Sequence, residues 1–177
     1  MTEITAQSFK KLLCDENINA DELQNLVVGK LIEKDKKVAT AESCTGGLLS
    51  KRITEVSGAS GVFECGVCSY ANRIKNKILG VKNETLDTLG AVSPETAEQM
   101  ALGVKALGNS DFGVSTTGIA GPTGGTPEKP VGLVYIAVAG KEVEIIKANF
   151  SDIQDKSREN IRKLASDAAL YFLLKQI

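Results

Sequence analysis

Residues 42–45 place a carboxylate, a hydroxyl, a thiol and a second hydroxyl in one short run, directly before Gly46 and Gly47. Small apolar residues precede the run and a helical pattern follows it, which indicates a strand, a sharp turn and a helix. Such a turn presents a nucleophile beyond the sheet, and amides at the helix start can face a developing negative charge. A Ser or Thr helix cap, with glycines for the turn, explains this segment alone equally well.

The sequence contains no histidine, and this absence narrows the possible chemistry. It excludes a Ser-His-Asp triad, a Cys-His dyad and a His-ligated zinc site within the chain. A serine nucleophile then needs another base, and a lysine kept neutral by burial is the usual substitute. The segment 69–77 offers Tyr70, Lys75 and Lys77. Spacing does not separate the two lysines, and a solvated helix face is the alternative interpretation of both.

A second polar loop, at residues 115–121, repeats the arrangement of the first: a strand followed by Ser and Thr residues and then glycines. In open α/β sheets, ligands sit beyond the carboxyl ends of strands, where such loops converge. Glycines there allow main-chain amides to approach a phosphate or an oxyanion closely. Neither loop matches a P-loop or a GxGxxG fingerprint, so nucleoside triphosphates and dinucleotides are weak candidates.

The composition is that of an ordinary globular protein. The chain has 177 residues, 42% of them hydrophobic, and a mean hydropathy of -0.03, which suits one domain with a full core. Lys and Arg number 21 against 22 Asp and Glu, so no electrostatic footprint for nucleic acid or an anionic membrane is expected. No charged-then-apolar leader and no long apolar stretch occurs, and we therefore expect a cytoplasmic protein without membrane partners.

Four cysteines occur, at positions 14, 44, 65 and 68. Cys65 and Cys68 have CxxC spacing, which suits zinc or redox chemistry. A zinc site normally needs a second close pair, however, and the surrounding residues 61–70 are typical of a strand. We therefore expect buried, reduced thiols and no metal site.

Strand and helix patterns alternate along the chain and predict a layered α/β/α fold with a mixed sheet, a C-terminal hairpin and a closing helix. Residues 1–20 are expected to form an N-terminal helical extension, and residues 21–177 one domain. Ser93 with Pro94 predicts a helix start. Predicted strands cover 37–41, 62–70, 111–116, 131–139 and 142–150; predicted helices cover 46–56, 83–89, 93–107 and 155–175, with shorter ones after Asp21 and Asn72.

Several of these segments resemble the carboxy-terminal domain family of CinA, the competence/damage-inducible proteins, over roughly residues 21–175. The stand-alone members of that family include nicotinamide-nucleotide amidases of the PncC type. The segments that carry the resemblance are Ala41–Gly47, Tyr70 to Lys75 with Leu79–Val81, Gly90–Ser93, Thr117–Gly125 and Lys129–Gly132. The resemblance implies hydrolysis of nicotinamide mononucleotide to nicotinate mononucleotide and ammonia. The alternative is a non-catalytic nucleotide-binding module linked to competence or the DNA damage response.

The resemblance also implies roles for individual residues. The family's nucleophile falls on Ser43, its base on Lys75 and its tyrosine on Tyr70, which we expect to relay or orient the proton that Lys75 takes. Its substrate contacts fall on the turn and on the second loop: Thr45, Gly46, Gly47, Thr117, Gly118 and Arg158, with Arg162 one helical turn beyond. No cofactor or metal is needed. The expected partners are a pyridine mononucleotide substrate and a second copy of the chain, in a homodimer.

Overall fold

Six strands form one mixed sheet, and the structure, a computed structural model, describes all of residues 1–177. The strands are β1 (Thr2–Thr5), β2 (Val38–Glu42), β3 (Phe63–Cys68), β4 (Phe112–Gly118), β5 (Leu133–Ala139) and β6 (Val143–Asn149). Their order across the sheet is β1-β6-β5-β4-β2-β3. Strand β2 runs parallel to both β3 and β4, whereas β5 is antiparallel to β4 and β6. The predicted mixed sheet and its β5–β6 hairpin are confirmed.

Helices cover both faces of this sheet. They are α1 (Ala6–Asp15), α2 (Leu23–Glu33), α3 (Leu48–Thr54), α4 (Asn72–Leu79), α5 (Asn83–Thr88), α6 (Pro94–Leu107) and α7 (Arg158–Gln176). Helices α1, α2, α3 and α7 share the larger hydrophobic cluster on one face, and α4, α5 and α6 cover the other. The predicted α/β/α layering is therefore confirmed. None of these helices combines the length and apolarity that crossing a membrane would require.

Strand β2 lies inside the sheet, and all five of its residues are buried. Val38 belongs to the larger cluster on the α7 face, whereas Ala39 and Ala41 belong to the cluster beneath α6. A strand buried on both faces is expected to be small and apolar on both sides. The polar run that begins at Glu42 therefore starts where the sheet ends.

The amino-terminal segment differs from the prediction. Thr2–Thr5 forms an edge strand, parallel to β6, and only then does α1 begin. Phe9 on α1 is 1% exposed and packs edge-on against Tyr171, with ring centroids 5.6 Å apart. A purely helical extension over residues 1–20 is therefore wrong. The division of the chain at residue 20 remains a prediction.

A buried ion pair fixes the helix that follows the polar run. Arg52 of α3 donates to the carboxylate of Asp167 in α7 at 2.5 Å, and both side chains are nearly inaccessible to solvent. The same guanidinium donates to the side chain of Gln24 and to the carbonyl of Ala20. Because the Arg52 guanidinium links α3 to α2 and α7, the turn that precedes α3 is anchored to these two helices.

Candidate active site

The candidate site lies at the carboxyl ends of β2, β3 and β4, which meet at one edge of the sheet because these strands are parallel. Ser43 follows β2, and its amide donates to the carbonyl of Thr116 at 2.9 Å. Ser69 follows β3, and its amide donates to the carbonyl of Glu42 at 2.9 Å. These bonds extend the ladder beyond the strands, so the two serines are held in register, side by side.

Side chains alternate between the two faces of the sheet along β2 and β3, and this alternation shows on which face the two serines lie. The preceding alternate residues pack in the small cluster on the α4 and α6 face: Ala39, Ala41, Cys65 and Val67. Side chains at every second position of a strand share a face. Ser43 and Ser69 therefore face the layer that contains α4.

Lys75 of α4 reaches this position from the helical layer. Its Nζ lies 3.1 Å from Ser43 Oγ, 2.6 Å from the carbonyl oxygen of Ser69 and 3.4 Å from that of Tyr70. The lysine is 1% exposed. The structure thus brings together the predicted nucleophile and one of the two candidate lysines, whereas Lys77 on the same helix is exposed.

The surroundings of the Lys75 amine suit both of its protonation states. As an ammonium it can donate to Ser43 and to both carbonyls, which uses its three N–H groups. As a neutral amine it can keep the two carbonyl bonds, and its lone pair then points to the remaining neighbour, the Ser43 hydroxyl. Burial lowers the pKa of the Lys75 ammonium below its usual value of 10.5, and a charged Cys44 thiolate would oppose this. The site can therefore hold a neutral amine against a serine hydroxyl.

Tyr70 is placed differently from the expectation. Its side chain is 66% exposed, and its hydroxyl accepts a hydrogen bond from Arg158 Nη2 at 2.8 Å. The hydroxyl makes no hydrogen bond to Ser43 or Lys75, so a proton relay through it has no geometric support. Instead, the main-chain carbonyl of Tyr70 helps to orient the Lys75 amine.

Glu42 was not predicted as a site residue, yet it organises the turn. It is fully buried, and its carboxylate accepts from the amides of Gly47, Leu49 and Ser50, at 2.8–3.0 Å, and from the Ser50 hydroxyl at 2.5 Å. A carboxylate here satisfies the unpaired amides of a helix start and complements the helix dipole. In the sequence, this role was indicated by an acidic residue close to a glycine-rich turn.

This arrangement corrects the expected position of the anion-binding amides. The Gly47 amide is committed to Glu42 and cannot face a negative charge on a substrate. The amides of Cys44, Thr45 and Gly46 donate to no oxygen of the protein. Gly46 and Gly47 have φ angles of 58° and 94°, a conformation that favours glycine. The amides of Cys44 and Thr45 lie near the Cys44 thiol, so the Gly46 amide is the donor of this turn that has no partner in the protein.

Three of the predicted substrate contacts, Thr45, Thr117 and Gly118, already make contacts within the protein. The Thr45 hydroxyl is buried and lies 2.7 Å from the hydroxyl of Thr116. The Thr117 hydroxyl donates to the carbonyl of Ala91 at 2.5 Å. A Cβ at Gly118 would lie 2.6 Å from the carbonyl oxygen of Leu133 on the neighbouring strand. The glycine therefore allows close strand approach, and only the acceptor side of the Thr117 hydroxyl remains for a ligand.

Two arginines from the start of α7 complete the rim. Arg158 is exposed and donates to the carbonyl of Gly121 and the hydroxyl of Tyr70, at 3.0 and 2.8 Å. Arg162 donates twice to the carbonyl of Thr45, at 2.9 and 2.6 Å. Arg162 therefore supports the turn, whereas Arg158 joins the second polar loop to Tyr70 and keeps most of its donors free.

The cysteines are free, but only one of them is buried. Cys44 points into the larger core cluster, and burial raises the pKa of its thiol to about 12. Cys14 and Cys68 are exposed and Cys65 is half-buried, so the expectation of uniformly buried thiols is wrong. Three positions along β3 place Cys65 and Cys68 on opposite faces, which does not suit a redox pair.

The structure is that of a layered α/β protein with a buried serine–lysine contact beyond the ends of its strands. The profile of the CinA C-terminal domain matches residues 20–177. The chain belongs to the CinA C-terminal domain family.

Individual relatives agree with this assignment. A protein of the competence-damage inducible type from Thermoanaerobacter sp. (strain X514) is 54% identical over 159 residues, and a CinA-like protein from Nostoc punctiforme is 47% identical over 161. These alignments cover 89% and 90% of this chain, and the chain spans 38% of the length of each relative. The crystal structure of competence/damage inducible protein CihA from Agrobacterium tumefaciens superposes with a TM-score of 0.85 at 41% identity, covering 89% of this chain and 94% of that one.

Proposed function

We propose that this protein hydrolyses the carboxamide of a pyridine mononucleotide, converting nicotinamide mononucleotide to nicotinate mononucleotide and ammonia. The contact between the buried Lys75 amine and the Ser43 hydroxyl carries the proposal. In a chain without histidine, this pair supplies a nucleophile and a base within hydrogen-bonding distance. The substrate is suggested by the family resemblance.

In the first half of the reaction, Ser43 Oγ attacks the carboxamide carbon while its proton passes to the neutral Lys75 amine. The negative charge develops on the carboxamide oxygen, which main-chain amides of the turn after Ser43, that of Gly46 first, can stabilise. One such donor contributes about 3 kcal/mol to the transition state. The intermediate then collapses: the C–N bond breaks, the Lys75 ammonium returns its proton to the nitrogen, and ammonia leaves an acyl ester on Ser43.

In the second half, water replaces ammonia. The neutral Lys75 amine takes a proton from the water, whose oxygen attacks the acyl carbon. The bond to Ser43 Oγ breaks, the proton returns to that oxygen, and the carboxylate product leaves. The lysine thus acts as base and acid in each half, as microscopic reversibility requires.

Recognition of the phosphate is assigned to Arg158. It is exposed at the rim, contacts Gly121 of the second polar loop and Tyr70, and has N–H donors to spare. Guanidinium groups bind phosphate through paired, charge-assisted hydrogen bonds. The start of α3 is the other conventional anion site, but the carboxylate of Glu42 already occupies it.

A second candidate rests on the names of the relatives, which refer to competence and damage induction. The same site could bind a nucleotide without turning it over, as a module of a longer protein. Such a module would bind nicotinamide mononucleotide and release no ammonia.

The two functions separate in one experiment. Purified protein is incubated with nicotinamide mononucleotide without added metal, ammonia is measured by a coupled dehydrogenase assay, and the nucleotide product is identified by chromatography. The amidase releases ammonia and nicotinate mononucleotide in equal amounts. Nicotinamide riboside, which lacks the phosphate, serves as the comparison substrate. Binding of the mononucleotide in calorimetry without any product would reject the amidase and favour the module.

A further inference from the structure

Arg162 of α7 binds the turn after Ser43 through a contact that the mechanism above does not use. Its Nε and Nη2 both donate to the carbonyl oxygen of Thr45, at 2.9 and 2.6 Å. A guanidinium usually directs two such bonds to a carboxylate or a phosphate, whereas here both go to one neutral main-chain oxygen. A half-buried cation is thus committed to a single peptide group of the turn.

The same peptide group contains the amide of Gly46, which has no partner in the protein. The bond between Thr45 and Gly46 is trans, and in a planar trans peptide the C=O and N–H bonds point in opposite directions. Because the carbonyl points to Arg162, the N–H points away from it. Gly46 is exposed, so its main chain is open to a ligand.

The turn by itself gives this peptide group little rigidity. Residues 45–48 form a tight turn that is closed by one hydrogen bond of 3.3 Å between its ends. Both central residues are glycines with positive φ angles, and glycine has wide conformational freedom. Glu42 holds the amide of Gly47, which leaves the preceding peptide group to be fixed by Arg162.

The helix that carries Arg162 is itself well anchored. Ile161 and Ala165, on the same turn of α7, are fully buried in the larger core cluster. The buried ion pair between Arg52 and Asp167 joins α7 to the helix that follows the turn. Arg162 therefore reaches the turn from a fixed position.

We propose that Arg162 is a positioning residue for catalysis, which fixes and polarises the Thr45–Gly46 peptide group so that its N–H stabilises the oxyanion. This inference rests on the proposed amidase function and adds a residue to the same site. A cation bound to the carbonyl oxygen draws electron density from the peptide nitrogen, which makes the N–H a stronger donor. An N–H that is held in place beforehand needs no reorganisation when the negative charge develops.

A substrate with sulfur in place of the carboxamide oxygen tests this role. Sulfur is a weaker hydrogen-bond acceptor than oxygen, so the thioamide analogue of nicotinamide mononucleotide gains less from an oxyanion donor. Ammonia release from both substrates is measured with saturating substrate and, because thioamides react slowly, also in single turnovers with excess enzyme. Arg162→Met should lower kcat for the oxygen substrate by about thirtyfold, part of the roughly hundredfold or greater loss caused by removing an oxyanion donor. The loss with the thioamide should be about threefold or less, and KM should change little.

Two further variants complete the test. Arg162→Lys keeps the charge and can give one hydrogen bond to the Thr45 carbonyl, so it should recover part of kcat and part of the preference for oxygen over sulfur. If Arg162→Met does not fold, the preference measured with Arg162→Lys decides. Lys175→Met is the matched control, because it removes a positive charge from the exposed far end of α7; it should change neither rate. The rise of the rate with pH should be the same in all variants, since Lys75 is untouched.

The possible results separate the two claims. A wild-type protein that releases no ammonia from nicotinamide mononucleotide rejects the amidase and this inference with it. If the wild type is active, an unchanged kcat in Arg162→Met rejects the role of Arg162 alone. An equal loss of kcat with both substrates would make Arg162 a general support of the turn. A rise in KM for nicotinamide mononucleotide but not for nicotinamide riboside would assign it to the phosphate; either contradicts the inference.

Discussion

Glu42 and Ser43 are consecutive residues whose side chains serve opposite faces of the sheet. The carboxylate of Glu42 turns to α3 and accepts the amides at its start, whereas the hydroxyl of Ser43 turns to Lys75 on α4. One face of the turn thus holds it in place, and the other brings Ser43 to Lys75. The amides at the start of α3, a conventional site for an anion, are already bound to Glu42, so the proposed function assigns the phosphate of the substrate to Arg158.

The first prediction concerns this internal cap. Glu42→Gln places an amide nitrogen where one carboxylate oxygen accepts two hydrogen bonds, so buried donors lose their partner. The free energy of unfolding should fall by about 3 kcal/mol, and urea denaturation followed by circular dichroism would measure it. Glu55→Gln is the control, since Glu55 is an exposed partner of Lys51. Equal midpoints for Glu42→Gln and wild type would contradict the role of the cap.

The second prediction separates two lysines that spacing alone leaves equivalent. Lys75→Arg should be inactive, because arginine cannot give up its proton at accessible pH and cannot act as a base. Lys77→Arg should keep the wild-type rate, because that side chain is exposed. Steady-state rates from pH 6 to 10 should rise through the lowered pKa of Lys75. An active Lys75→Arg enzyme would assign the base elsewhere.

The third prediction concerns the stability cost of the buried lysine. Because burial lowers the pKa of Lys75 in the folded protein, the unfolded chain binds more protons between the two pKa values. Stability contributed by this group therefore rises with pH in that window and is lowest below it. Lys75→Met should be more stable than wild type at pH 6, and the difference should shrink as pH approaches 10. A difference independent of pH would show that Lys75 keeps its ordinary pKa.

Sequence patterns were sufficient for much of the fold because they are local. Ser93 accepts from the Thr96 amide ahead of α6, as its N-cap position predicts, and the β5–β6 hairpin follows its strand patterns. Strand β1 was missed because only Ile4 of its four residues is buried. A short edge strand with one inward side chain has no alternation to detect.

The candidate site shows the same limit. The turn at Ser43 and the lysines of segment 69–77 were visible as residue types. Their contact depends on the pairing of β2 with β3, which lie more than twenty residues apart in sequence. The cap formed by Glu42 is different, because its partners lie only five to eight residues further along the chain and an acid beside a glycine-rich turn is a local pattern.

The fourth prediction tests phosphate recognition. Arg158→Gln should raise KM for nicotinamide mononucleotide by about tenfold or more, the loss of one charge-assisted hydrogen bond, with a smaller change in kcat. Arg73→Gln is the control, because Arg73 is also exposed but lies on α4. The penalty should be absent with nicotinamide riboside, which has no phosphate to lose. A similar increase in KM with both substrates would show that Arg158 does not act by binding the phosphate.

The measurement that tests the central claim most directly is ammonia release from nicotinamide mononucleotide by the wild type, Ser43→Ala and Cys44→Ala. The wild type should release ammonia, and Ser43→Ala should lose at least about a thousandfold in kcat, as removal of a covalent nucleophile does, without a change in melting temperature. Cys44→Ala should keep most of the rate, because its thiol is buried in the core and its pKa is raised to about 12. A dead Cys44→Ala enzyme beside an active Ser43→Ala enzyme, both folded, would contradict the account.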